Sequence, residues 1–266
     1  MKKKFLALMC AAAMMATAMV GCGSSNNNQP SGSDNDTDAA GLKTVQEGKL
    51  IMSTNATFPP YEMLDDEGNV VGIDVDIAEA IAEKLGLELQ VDDMGFDASL
   101  LAVQQGKSDI ALAGISVTPD RLAVMDFSES YATGIQVVIV KEGSDVTLDN
   151  LGEQKIGTQR STTGHIFCSD DFGEDHVVAY DSGIVAVQAL VNNQIDCVVI
   201  DKAPAEAYVA ANPGLTILDT EYANEDYAIG MAKGNTALVE AVNGALAELT
   251  EDGTIQKIID TYITAD

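Results

Sequence analysis

From Lys43 onward, short apolar runs alternate with helical stripes, and that alternation constrains the fold more than any other feature of the chain. Leu50-Ile51-Met52 reads as a strand, and Leu87 to Val91 alternates with period two. Between them Ile77, Ala78, Ile81, Ala82 and Leu85 make one apolar face of a helix that Gly86 closes. Asp109–Ala113, Gln136–Val140, Lys155–Thr158, His176–Tyr180, Ile195–Ile200 and Tyr227–Met231 continue the strand series. Helices are expected over Ser182–Asn192, Ala203–Asn212 and Thr236–Leu249, and another from Thr118-Pro119-Asp120 to residue 127, where the threonine caps and the proline suits the first turn. Strands alternating with helices mean an α/β fold with largely parallel sheets. The count, about eight or nine strands, leaves open whether they form one sheet or two.

The first 42 residues stand outside this pattern. Lys2, Lys3 and Lys4 precede an apolar run from Phe5 to Val20, 16 residues long. About 20 residues are needed to span hydrocarbon as a helix, so the run fits an export signal better than a membrane anchor. It ends in Met19-Val20-Gly21-Cys22, which resembles a bacterial lipobox with Met in place of the usual Leu. On that reading residues 1–21 are removed and Cys22 becomes the lipidated first residue. The Ser-, Asn-, Asp- and Gly-rich stretch that follows has the composition of a flexible tether, so residues 22–42 are expected to link lipid to globule. Of the four cysteines, Cys10 leaves with the leader, Cys168 and Cys197 remain in the folded part, and two packed free thiols are expected.

The whole chain has a formal charge of −28, with Arg121 and Arg160 its only arginines; without the leader, 11 basic residues face 42 acidic ones, a charge of −31. No basic stripe exists to neutralise phosphates or to dock on an anionic membrane surface, which argues against nucleic-acid and electrostatic membrane partners. Gly-x-Ser-x-Gly, His-Glu-x-x-His, Walker A and Gly-x-Gly-x-x-Gly motifs are all absent from the sequence. His165 and Cys168 with Asp170, Asp171, Glu174 and Asp175 imitate a metal cluster but supply too few nitrogen and sulfur ligands for tetrahedral zinc. A solvated acidic loop is the expectation there, and no metal site is assigned.

One motif points further. Gly72-Ile73-Asp74-Val75-Asp76-Ile77, followed by Ile81, Ala82 and Leu85, resembles the signature of the solute-binding proteins of ABC importers, in their polar amino-acid family (family 3). Thr54 to Glu62 resembles that family's first ligand loop, and Leu112 to Arg121 its α-carboxylate loop. Gly157 to Gly164 is similar to the segment opening the second lobe's binding helix. Val199-Ile200-Asp201 is similar to the strand end bearing the amine-binding acid, and Asn235 to Tyr262 to the closing helices. Matches in this order cover about residues 43–263. The resemblance implies a two-lobed periplasmic binding protein-like fold (type II) with two mixed sheets flanked by helices and joined by two hinge strands. Placed on this chain, residues 43–133 and 226–266 would make the first lobe and residues 136–223 the second.

A free amino acid is a zwitterion, so its receptor needs a carboxylate clamp, an ammonium acceptor and a side-chain pocket. Arg121, in a first helical turn, has the planar fork that grips a carboxylate bidentately. Ser116 adds a hydroxyl, Gly114 permits close backbone approach, and Thr162 and Thr163 sit where a helix's positive end assists. The resemblance assigns the α-ammonium to Asp201 and the side-chain sandwich to Phe58 and Phe96. Asn55 stands where several relatives specific for cationic ligands or glutamine carry aspartate. Gln159 and Glu62 are candidate side-chain selectors, Tyr227 a hinge residue near the ligand, and the place of Arg160 is open. The implied function is binding of a polar L-amino acid, cationic ones among the candidates, and its delivery to an ABC permease, by a monomer tethered outside the cytoplasmic membrane, with no cofactor. Two rivals share the fold: a cyclohexadienyl dehydratase-like enzyme, which needs a catalytic acid or base in the cleft, and a sensor ectodomain, which needs a membrane span or signalling domain.

Overall fold

The computed structural model describes residues 42–219 and 221–263, so the leader, Cys22 and nearly all of the tether lie outside the described residues. The chain opens with β1 (Lys49–Thr54), whose residues after Lys49 are all buried. The short strands β2 (Thr57–Phe58), β3 (Glu62–Leu64) and β4 (Val70–Val71) form a small antiparallel sheet of their own. These runs of two or three residues are too brief to show a period, which is why the sequence hides them.

Helix α1 (Ile73–Lys84) buries Ile73, Asp74, Ile77, Ala78, Ile81 and Ala82, the face expected from the stripe. It starts at Gly72, whose φ of 138° suits only glycine, and a Cβ there would collide with the carbonyl of Tyr61. Then come β5 (Glu88–Asp93), α2 (Phe96–Gln104), β6 (Ile110–Ala111) and α3 (Pro119–Val124). Strand β7 (Met125–Lys141) is 17 residues long. The helix expected to reach residue 127 therefore stops at Val124, because Met125 onward pairs with β12 (Ala223–Ala232). Strand pairing takes residues that local propensity left to the helix.

Next follow β8 (Ile156–Gln159), α4 (Thr163–Phe172), β9 (Val177–Tyr180), α5 (Gly183–Val191), β10 (Cys197–Asp201), α6 (Lys202–Ala211) and β11 (Leu215–Ile217). Helices α7 (Thr236–Glu251) and α8 (Thr254–Tyr262) follow β12. The expectation of a solvated acidic loop around residues 165–175 is corrected by α4. That helix runs from an N-cap at Thr162, whose side chain accepts from the His165 amide, to Gly173, and it buries Cys168. The helix start at Thr162 and Thr163 was expected, and the correction is that the helix runs on through Asp170 and Asp171 to Phe172.

Nine strands make one hydrogen-bonded sheet in the order β5-β1-β6-β12-β7-β10-β8-β9, with β11 also on β7. Parallel pairing joins β5, β1 and β6 at one end and β10, β8 and β9 at the other. Between these ends β12 and β7 run antiparallel, in register from Ala223 opposite Gln136 to Ala232 opposite Met125, with shifts around Ala228. The two expected sheets thus form the two ends of a single path that the two long strands connect. One large hydrophobic cluster includes Leu50, Met52, Ile77 and Ile81 together with Val187, Val198 and Ile200. A smaller one holds Val138, Leu151, Ile156, Cys168 and Cys197. Both cysteines are free and buried, and burial pushes each thiol up to about 12, so neither is reactive near neutral pH.

Candidate functional site

Strands β1, β6, β8 and β10 all deliver functional side chains at or just beyond their carboxyl ends, where open α/β sheets place their ligands. The resulting cavity is lined by Asn55, Phe58, Phe96, Gly114, Ser116, Arg121, Gln159, Thr162, Thr163 and Asp201, ten of the residues singled out from the sequence. Glu62 and Ala113 complete the lining.

Arg121 is buried at 8% exposure beneath the loop that follows β6. Its backbone amide donates to the capping hydroxyl of Thr118, 3.3 Å away, which fixes the start of α3. Its Nη1 donates to the Ser116 carbonyl at 2.8 Å and its Nη2 to the Ser161 carbonyl at 3.1 Å. A guanidinium carries five N–H donors, so three remain for an anion. The Phe96 ring lies 5.3 Å from the guanidinium carbon and supports the charge through its π face. Phe96 also belongs to a core cluster with Leu100, Val103 and Met125, so its packing and cavity roles coincide. Ser161 holds a φ of 64°, uncommon without glycine, and this turn presents its carbonyl to Arg121.

Gly114 has a φ of 53°, and a Cβ there would stand 2.7 Å from the Phe58 ring. Its amide donates to Asp74 Oδ2 at 3.0 Å, while Tyr131 donates to Asp74 Oδ1 at 2.8 Å. Burial pushes the Asp74 carboxyl up to about 6, and these two hydrogen bonds restrain it from going higher. Asp74, the first acid of the signature motif, thus anchors the loop that carries Gly114 and Ser116. The Ser116 hydroxyl lies 3.4 Å from that of Thr163, across the cavity in the first turn of α4.

Asn55 and Gln159 spend much of their polarity on the protein. Gln159 Nε2 donates to Asn55 Oδ1 at 2.9 Å, and Gln159 Oε1 accepts from the Gly183 amide at 3.2 Å. Asn55 Nδ2 donates to the Met94 carbonyl at 2.9 Å. The pair is a clasp between the residue after β1 and the end of β8. Beside it, the Tyr208 hydroxyl donates to the Thr57 carbonyl.

Glu62 differs from every other lining residue. It is fully buried, its one polar contact is the neighbouring Asp74 carboxyl, and no N–H donor or alcohol reaches either oxygen among the described residues. Burial, reinforced by the charge of Asp74, raises its pKa well above the usual carboxylate range. Such a group is costly unless something outside the protein completes it.

Asp201 caps the junction of β10 and α6 at 8% exposure. It accepts from Gln136 Nε2 at 2.8 Å and from the Tyr227 hydroxyl. Burial first and Glu225 second push its carboxyl up to about 7. Tyr227 packs edge-on against Tyr61 with ring centroids 5.3 Å apart and does not line the cavity. Arg160 stays outside it too: its side chain is exposed, lies 3.6 Å from Asp181 and donates to the Ala179 carbonyl. His165 Nδ1 accepts from the Ser161 amide, a structural role in the same turn. Among the described residues no cluster of three or more His, Cys, Asp and Glu could hold a metal, and no helix is long and apolar enough to cross a membrane. Gln136 and Glu225 escape a reading of the sequence, because only the pairing of β7 with β12 and β10 sets them beside Asp201.

Residues 50–265 match the family described as bacterial extracellular solute-binding proteins, family 3. The ABC transporter arginine-binding protein 1 of Escherichia coli (strain K12) is 31% identical over 219 residues, covering 80% of this chain and 90% of that protein. The probable histidine-binding protein of Neisseria gonorrhoeae is 32% identical, covering 99% of this chain and 97% of that one. Among solved structures, an ancestral arginine-binding protein bound to glutamine superposes with a TM-score of 0.78 at 37% identity, covering 83% of this chain and all of that one.

Proposed function

This chain belongs to the bacterial extracellular solute-binding proteins of family 3, and from that premise we propose that its cavity takes an L-amino acid with a cationic side chain. Amino-acid binding on behalf of an ABC transporter is the function of its relatives and of this chain; the charge of the ligand's side chain is the further step. The single observation that carries it is Glu62, a fully buried carboxyl at the cavity wall that meets a second acid, Asp74, and no cation among the described residues. A guanidinium or ammonium at the far end of a ligand completes such a group, whereas an apolar or amide side chain leaves it unpaired.

The remaining roles follow from the same chemistry. Arg121 receives the α-carboxylate with its three remaining N–H groups, helped by the Ser116 and Thr163 hydroxyls and the amino end of α4. Asp201 receives the α-ammonium, and Phe58 and Phe96 flank the aliphatic stem. Asn55 and Gln159 act across the cavity as a clasp. We take residues 43–133 with 226–266 as one lobe and residues 136–223 as the other, with β7 and β12 as the hinge. Contacts made from both lobes exist only when the lobes are closed, so ligand shifts the population toward closure. The closed form then docks on its permease. We also propose a monomer anchored through a lipid on Cys22, and binding without turnover.

A thermal-shift panel of the twenty amino acids plus ornithine and citrulline tests the assignment. L-arginine at 100 times its dissociation constant adds about 2.7 kcal/mol of stability. A panel with no responder overturns amino-acid binding, and a panel led by neutral or acidic residues overturns the cationic assignment.

A further inference from the structure

Asp201 is one member of a buried cluster that reaches beyond the cavity. The single amide nitrogen of Gln136, a residue 1% exposed, donates to Asp201 Oδ2 and to Glu225 Oε2, both at 2.8 Å. Two carboxyl groups are thereby held against one amide, on strands β10 and β12 that each pair with β7 at Gln136. Glu225 Oε1 is buried with no partner among the described residues, and no lysine or arginine forms an ion pair with either acid there. Like charges this close disfavour double ionisation, so one proton is retained.

The groups facing the pair are few. From β12 come Tyr227, which donates to Asp201, and Glu225 itself. Tyr61 and Glu62 bring a phenol and a further acid from the segment around β3, and both feel the charge of Asp201. Arg121 on α3 is the one cation that feels both Asp201 and Glu225. Lys202, next in sequence, turns to solvent toward Glu206, 3.8 Å away. One guanidinium against three acids leaves room for one more positive charge.

We propose that Glu225 is a positioning residue which, through the shared amide of Gln136, makes the Asp201–Glu225 pair hold a proton in the free protein, and that the α-ammonium of an arriving amino acid expels that proton. The inference rests on the amino-acid reading of the cavity. In the step the Asp201 O–H bond breaks, its electron pair stays on the carboxylate, the ammonium donates to that carboxylate, and the proton passes to solvent. Uptake is therefore linked to pH. The Asp201 carboxyl titrates at about 7, so the pair releases about half a proton at pH 7, nearly one at pH 6 and almost none above pH 8. Below that midpoint, affinity falls by up to about tenfold per pH unit. Burial and the charge of Asp74 raise Glu62 as well, and any proton it releases is a constant value common to the parent and to Glu225→Gln.

The test is calorimetric titration of the full chain with L-arginine from pH 5.5 to 8.5, repeated in phosphate and in Tris, so that the difference in buffer ionisation heat counts protons. A step of close to one proton centred near pH 7 is expected. In Glu225→Gln the step moves to lower pH and release at pH 7 drops toward the constant value, whereas Glu225→Asp keeps the step near its place. Binding heat with a proton count independent of pH overturns the linkage, and a step unmoved in a folded Glu225→Gln overturns the role of Glu225. Absence of binding heat from L-arginine, together with silence from every other amino acid, overturns the amino-acid reading itself.

Discussion

The two ends of the cavity are built on opposite plans. At the Arg121 end, donors and acceptors are tied to the protein before any ligand arrives: the guanidinium is braced by the Ser116 and Ser161 carbonyls, and the loop carrying Gly114 is pinned to Asp74. At the Glu62 end a buried carboxyl meets only another acid, Asp74, with no cation to balance either. The braced end suits the part shared by all amino acids, since preorganised donors gain affinity without reorganising. The bare end suits the part that differs among them, since an unpaired buried group penalises every ligand that fails to complete it.

The largest way to break this contrast is Arg121→Ala. Losing two charge-assisted hydrogen bonds, at about 1.5–3 kcal/mol each, is expected to weaken every amino acid the protein binds by roughly 10²- to 10⁴-fold. Unchanged calorimetric affinity would place the carboxylate elsewhere. Glu62→Gln sharpens the contrast from the other end. It is expected to cost L-arginine about 10- to 100-fold while leaving L-glutamine within a few-fold, because only the cation loses its counter-charge. An equal loss for both ligands would make Glu62 structural.

How much of this was legible in the chain depends on the distance over which each feature is encoded. The α1 face, the Thr118–Pro119 helix start and the strands expected to end at Thr158 and Ile200 are local patterns, and the structure has them, with each of the two strands ending one residue later. All ten predicted lining residues reach one cavity because each follows a strand end or opens a helix, positions that sequence patterns mark. What stayed hidden depends on pairing between distant segments. Strand β7 absorbed the end of a helix and four glycine, serine or threonine residues once β12 lay beside it. Likewise the partners of Gln136 and the burial of Glu62 beside Asp74 are properties of neighbours brought together by folding, not of either residue's own segment.

A third prediction concerns pH. The folded-state carboxyls of Asp74 and Asp201 sit at about 6 and about 7, above their usual unfolded value, so the folded chain holds more protons than the unfolded one between roughly pH 4 and 7. Their stabilising contribution is full below pH 4 and is lost as pH rises through those values. The melting temperature of the ligand-free protein is therefore expected to fall from pH 5 to 7.5, and Asp74→Asn to flatten the slope. A melting temperature that rises across this window in the absence of ligand would contradict the assignment. The exposed Asp65, Asp126 and Asp252, whose values are lowered, act in the opposite sense but only at more acidic pH.

The smallest expected effect is at the clasp. Asn55→Ala removes the hydrogen bonds to Gln159, the Thr57 hydroxyl and the Met94 carbonyl, of which only the first spans the clasp, worth about 0.5–1.5 kcal/mol, and is expected to raise the dissociation constant roughly three- to thirtyfold with no change in ligand order. A change in ligand order, read from the thermal-shift panel, would move Asn55 from clasp to selector.

The most direct measurement compares L-arginine with L-citrulline on the unaltered chain by calorimetric titration at a single pH. The two ligands share the carboxylate, the ammonium and the stem, and differ only in whether the far end carries a charge for Glu62. Arginine binding at least tenfold more tightly is the expected result. Equal affinities, or citrulline the tighter, would contradict the claim that the bare end of the cavity selects a cation.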